Sequence, residues 1–224
     1  MSFILNIDTA VDIASVCLAK DGEALQLTTN ENQKDHAAWL HSAIEEMLRI
    51  NKLTMKDISG VAVSIGPGSY TGLRVGLSTA KGLCYAMNIP LITIGTLEMM
   101  AYSVKDEAVD LICPLIDARR MEVFAAVYNK VLQPFIAPQI MLINENSFAE
   151  LLAVHKILFS GNGGKKLQTS ISNSNALFTN TAGNASHLAA LSYNHFCKKE
   201  FADLAYTEPL YLKEFYTPTR KPLL

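Results

Sequence analysis

Two apolar stretches end in aspartate, "FILNID" at Asp8 and "LICPLID" at Asp117. Carboxylates placed like this, each at the mouth of a strand, can ligand a nucleotide and its metal, so both are candidate cofactor-binding residues. The stretch "SIGPGSYTGLRVGLSTAKGLCYAM" (64–87) is the other conspicuous feature, with five glycines in a run from an apolar strand through a Gly-Pro-Gly turn into a helix. Glycines there often cradle phosphate, but neither phosphate fingerprint fits. Five residues after Gly66 stands Thr71 and after Gly68 stands Leu73, so GxxxxGK[ST] fails, and Thr71 also breaks GxGxxG. What remains is the generic anion affinity of a helix N-terminus. His36 and His41 lie five apart, roughly 140° around a helix, so they cannot share a metal as i, i+4 histidines do. His155, His187 and His195 are isolated, and no HExxH or GxSxG occurs. Cys17, Cys84, Cys113 and Cys197 form no CxxC and read as reduced, buried small residues.

Inside the predicted helix, Gly72, Gly76 and Ala80 stand four apart and share one face. An interior glycine costs about 1 kcal/mol of helix stability relative to alanine, which close approach of another backbone can offset. That approach is either the chain's own sheet or a second protein, with Leu73 and Leu77 as flanking apolar anchors. Spacing alone leaves both open.

The elements that must position these residues come in two similar series. Three strands (3–8, 13–19, 23–29) with an Asp-Gly turn between the last two precede a helix over 36–50. In that helix Leu40, Ala43, Ile44, Met47 and Leu48 share a face. Strand 60–65, the glycine helix, strand 90–94 and a helix opening at Thr96 follow. The second half repeats this order with strands 111–117, 121–129 and 139–143, then "NSFAELLAV", "KILFSG", "GKKLQTS", "ALFTN" and "ASHLAALSYNHFCKK". The pattern predicts an α/β protein of two similar lobes, each β-β-β-α-β-α-β-α, of the actin/Hsp70/sugar-kinase type. The lobes are expected over 1–104 and 105–224, with the tail returning to the first. Asp8 and Asp117 would then face each other across the cleft, although Ala10 stands where the sugar-kinase phosphate turn wants glycine.

The chain has 224 residues, half of them hydrophobic and 18% charged, with a formal net charge of −2. That balance gives no footprint for binding nucleic acid unaided. "MSFILNIDTA" lacks the basic start of a signal peptide, and Arg74 and Lys81 interrupt the best apolar run well short of the ~18 residues of a membrane span. A cytoplasmic protein is expected.

The segments "ILNIDTA", "GPGSYTGLRVGLSTAKGL", "PLITIGTLEMMA", "IDARRMEVFAAVY" and "EPLYLKEF" come in the order and spacing of the TsaB (YeaZ) family, which the chain resembles closely over residues 3 to about 130 and in its tail. That family serves bacterial tRNA threonylcarbamoyladenosine (t6A) biosynthesis. It looks like a degenerate paralogue of TsaD, the metal-bearing threonylcarbamoyl transferase, whose metal is held by two histidines four apart after the fifth strand. Here that stretch reads "GTLEMMAYS". The resemblance implies a non-catalytic subunit without metal or cofactor. It implies a heterodimer with TsaD through first-lobe helices, the ATPase TsaE joining the pair, tRNA met only through the complex, and homodimers when alone. Gly72, Leu73, Gly76, Leu77 and Ala80 would be the docking face. The rivals are a nucleotide-binding, kinase-like protein using Asp8 and Asp117, and a metallopeptidase, as older glycoprotease names suggest.

Overall fold

The computed structural model describes residues 1–32 and 36–213, of His36 the backbone alone. Strands β1 (Phe3–Asp8), β2 (Ala14–Lys20) and β3 (Glu23–Asn30) form a meander. Its second turn holds Asp21 and Gly22 at φ 49° and 91°, as a tight hairpin requires. Helix α1 (His36–Ile50), strand β4 (Ile58–Ser64), helix α2 (Tyr70–Met87), strand β5 (Leu91–Ile94) and helix α3 (Thr96–Val104) complete the first series. The second series runs β6 (Leu111–Asp117), β7 (Glu122–Asn129), β8 (Pro134–Leu142), α4 (Ala149–Leu152), β9 (Ile157–Ser160), α5 (Gly164–Ser170), β10 (Ala176–Phe178) and α6 (Leu188–Lys198).

The two sheets have one topology. The first is ordered β3-β2-β1-β4-β5 and the second β8-β7-β6-β9-β10. In both, the opening strand is antiparallel to the next and parallel to the fourth. This twice-built order, three antiparallel strands extended by parallel βα units, is the two-lobed actin/Hsp70/sugar-kinase architecture.

Strand alternation divides the first sheet's side chains between two cores. Leu5, Ile7, Val61 and Val63 meet Leu40, Ile44 and Met47 of α1 and Leu77 and Ala80 of α2. Ile4, Ala62 and Ile92 turn the other way, into a core shared with the second lobe. Each half lends its last helix to this shared layer. Helix α3 packs on β6 and β7 of the second sheet, and α6 packs on β1, β4 and β5 of the first. Ser192 of α6 donates its hydroxyl to Asn6 Oδ1 (2.7 Å), and the Ala185 N–H donates to Ser15 Oγ (2.9 Å).

Two second-half elements differ from their sequence expectation. Strand β8 begins at Pro134 rather than 139, because it is an edge strand, where missing proline N–H groups leave no ladder bond unmade. Helix α4 shrinks to Ala149–Leu152, because Phe148 sits at φ 63° with its ring buried against Phe159. Of the cysteines, Cys17, Cys84 and Cys113 are buried, but Cys197 is exposed on α6, which corrects the expectation for that residue.

Candidate functional site

After β4 the chain turns through Gly66, at φ 119°, and a cis Gly66–Pro67 bond into α2. Ser69 caps the helix, its hydroxyl accepting the Gly72 N–H (3.3 Å), while its own N–H donates to the Ala10 carbonyl (2.7 Å). The glycines that follow serve close packing within the chain. A Cβ at Gly72 would overlap the Thr9 carbonyl oxygen, and one at Gly76 would overlap the Thr9 hydroxyl. Thr9 in turn donates that hydroxyl to the Gly72 carbonyl (2.6 Å).

The stripe therefore faces inward, which corrects the expectation that it is the docking face. Leu73 is 1%, Leu77 4% and Ala80 0% exposed, and Gly72 and Gly76 are buried with them. Thr9, just past β1, fills the space over Gly72 and Gly76, and Leu73, Leu77 and Ala80 are buried within the chain. Of the two readings the spacing left open, the structure shows the chain's own sheet.

The outward face of α2 carries Thr71, Arg74, Ser78, Gly82 and Tyr85, with Lys81 at its margin. Among the described residues nothing lies within 4 Å of where a side chain at Gly82 would stand, and Tyr85 is 82% exposed. Arg74 lies 4.1 Å over the Tyr70 ring and donates from Nε to the Tyr211 hydroxyl (3.1 Å). The C-terminal tail lies along the same face, and with Arg74, Ser78 and Lys81 it lines a shallow groove of about 290 Å³. Sequence reasoning missed these residues, because a stripe of small residues signals close packing without saying against what. The Tyr70–Arg74 spacing of four was the one available sign.

The two candidate cofactor ligands sit in unlike surroundings. Asp8 is fully buried, its Oδ1 accepting the Ser64 hydroxyl (2.5 Å) and the Ala10 N–H (3.1 Å), and its Oδ2 has no partner among the described residues. Burial pushes this carboxyl up to about 6, against the pull of those two hydrogen bonds. Asp117 is exposed. Partial burial raises its carboxyl, but the Lys166 ammonium (2.6 Å), the Arg119 N–H (2.6 Å) and nearby positive charge outweigh that and hold it below the usual range. Asn162 bridges the lobes here, accepting the Asp117 N–H (2.8 Å) and donating to Asp12 (3.1 Å). Glu122 of the same turn pairs with Lys213 of the tail.

Among the described residues, no three His, Cys, Asp or Glu side chains gather as a metal site would need. None of their helices is long and apolar enough to cross a membrane.

Residues 27–213 match the family model of TsaD, tRNA N6-adenosine threonylcarbamoyltransferase. The chain belongs to the TsaD family. Its relatives include TsaB (YeaZ) proteins. The tRNA threonylcarbamoyladenosine biosynthesis protein TsaB of Bacillus subtilis is 29% identical over 143 residues, 62% of each chain. That of Escherichia coli is 33% identical over 132 residues, 57% of this chain and 55% of its own. The match thus spans less than two thirds of either curated relative. YeaZ from Pseudomonas aeruginosa superposes with a TM-score of 0.83 at 22% identity, over 95% of this chain and all of that one. In this TsaD-family chain the helix after β5 reads TLEMMAYSV, and Met99 and Met100 are buried in the core between the lobes.

Proposed function

We propose that this chain is a non-catalytic subunit for threonylcarbamoyl transfer to tRNA adenosine, docking and activating TsaD in a complex that the ATPase TsaE joins. It works in the cytoplasm, meets tRNA only through that complex, and pairs with itself when alone. The observation that carries this reading is the state of the first lobe's ligand turn. Asp8 is sealed in the core and the Thr9–Ala10 backbone is pinned to α2, so the position that would serve chemistry in a two-lobed kinase serves packing instead. The similarity to TsaB proteins supports the pathway.

The docking surface of this reading is the outward face of α2 around Gly82 and Tyr85. An exposed interior glycine weakens a helix by about 1 kcal/mol, and at Gly82 no contact among the described residues accounts for it. A backbone or bulky side chain of a partner would.

The decisive experiment is tRNA t6A synthesis by reconstituted TsaD and TsaE with and without this chain. The expected result is product only when it is present, and none from it alone. Unchanged synthesis on omission would overturn the reading. Tight MgATP binding by the isolated chain would move it toward the kinase-like alternative, which the unpartnered Asp8 Oδ2 favours.

A further inference from the structure

The last described residues have no regular secondary structure, yet they are anchored from one lobe to the other. The Ala202 N–H donates to the Leu91 carbonyl (2.9 Å) beside β5. Lys81 Nζ then holds the carbonyls of Ala205 and Thr207 (3.1 Å each) on the outward side of α2. The Leu210 N–H donates to the Ile65 carbonyl (2.7 Å) just past β4, and the Leu210 carbonyl occupies the space a side chain at Gly66 would need. Tyr211 stacks on Tyr70 with ring centroids 4.6 Å apart and accepts from Arg74. Leu212 packs against the core between the lobes. Lys213 reaches the second lobe, where its ammonium donates to the Ala118 carbonyl (3.3 Å) and pairs with the Glu122 carboxylate.

Ala118 and Glu122 bracket the β6–β7 turn, whose Arg119 and Arg120 both take positive φ, 68° and 51°. Side chains disfavour that conformation, and the turn is closed by the Ala118 N–H donating to the Glu122 carbonyl (3.1 Å) and the Glu122 N–H donating to the Arg119 carbonyl (3.1 Å). The tail adds the Lys213 contacts at both ends of it. It also crosses the carboxyl ends of β4 and β6, the side of an α/β sheet on which ligands enter.

We propose that residues 202–213 form a releasable strap that ties the outward face of α2 to the β6–β7 turn, so that loosening either anchor loosens the other. Its end contacts are polar and partly open to water: Leu210 is 38% and Tyr211 37% exposed, and the Lys213 side chain 39%. Such contacts open at lower free energy than a buried apolar seam. Arg74 and Lys81, which hold the strap, stand on the face assigned above to a partner. A partner that engages them competes with the strap and reaches the second lobe through it. That consequence rests on the docking reading; the strap itself does not.

The test is amide hydrogen exchange, resolved by residue, on the full chain without any partner. Arg74→Ala should speed exchange at Leu210 and also at Ala118 and Glu122 in the other lobe, by about fivefold or more, with the β1 amides unchanged. Linkage requires the reverse effect: Glu122→Gln should speed exchange at Leu210. Should Arg74→Ala disturb the fold, Tyr211→Phe removes only the hydroxyl acceptor and carries the same expectation. Substitutions that each speed only the amides at their own end would overturn the strap. So would unchanged exchange at both ends.

Discussion

Asp8 carries the chain's clearest titration signature. Its carboxyl stands at about 6 instead of the ordinary 3.8, chiefly because burial strips water from the charged form. With the folded pKa raised, the native state holds the proton longer than the unfolded chain does. The stability associated with the neutral acid is complete below about pH 4 and is lost as pH rises to about 6, a difference of about 3 kcal/mol at neutral pH. Asp8→Asn keeps an acceptor for Ser64 and Ala10 and cannot ionise. Its buried amide N–H groups cost about 1–3 kcal/mol, but equally at every pH. Urea unfolding from pH 4 to pH 7.5 should therefore show wild type losing stability relative to Asp8→Asn across that range. A constant difference would mean that the Asp8 charge is not disfavoured by its site.

At the scale of elements, α2 has two faces that glycine serves in opposite ways. On the inner face Gly72 admits the Thr9 carbonyl, so Gly72→Ala forces backbone apart and should lower stability by about 1–3 kcal/mol or more. On the outer face a side chain at Gly82 would meet none of the described residues, so Gly82→Ala should raise stability by up to about 1 kcal/mol. Thermal melts of the two variants should move in opposite directions. If docking uses the outer face, Tyr85→Asp should leave the melt unchanged and weaken association with TsaD, as titration calorimetry would show. Full affinity in that variant would send the docking surface elsewhere.

For the molecule as a whole, the consequential feature is the exchange of last helices. Leu97, Met99 and Met100 of α3 lie in a core with Ile112, Phe124 and Leu158 of the second lobe, and α6 covers the corresponding face of the first sheet. A fragment of residues 1–104 would leave α3 without its sheet and the Ile4–Ala62–Ile92 face in water. It should show no cooperative melt and no dispersed amide spectrum, although it contains every strand of its sheet. A cooperative transition in that fragment would mean that the first core, around Leu5, Leu40 and Leu77, is sufficient by itself.

The order and class of the strands and α-helices described above, and the duplication that implies two lobes, were legible in the chain. Hydrophobic period, the Asp-Gly turn and the buried face of α1 are local properties, and local chemistry decides them. Local patterns blurred where packing overrode them, at the Pro134 edge strand and at Phe148. The glycine stripe marks the limit most plainly. Spacing established that something comes close to Gly72 and Gly76, but a smooth helix face has the same sequence whether it meets its own chain or another. Only the folded chain, bringing Thr9 across 63 residues onto Gly72, decided which. Asp8 and Asp117 match in sequence position because strand order follows from local pattern; they differ in environment because burial, the Lys166 pair and the tail's reach to Glu122 depend on distant residues that only tertiary structure assembles.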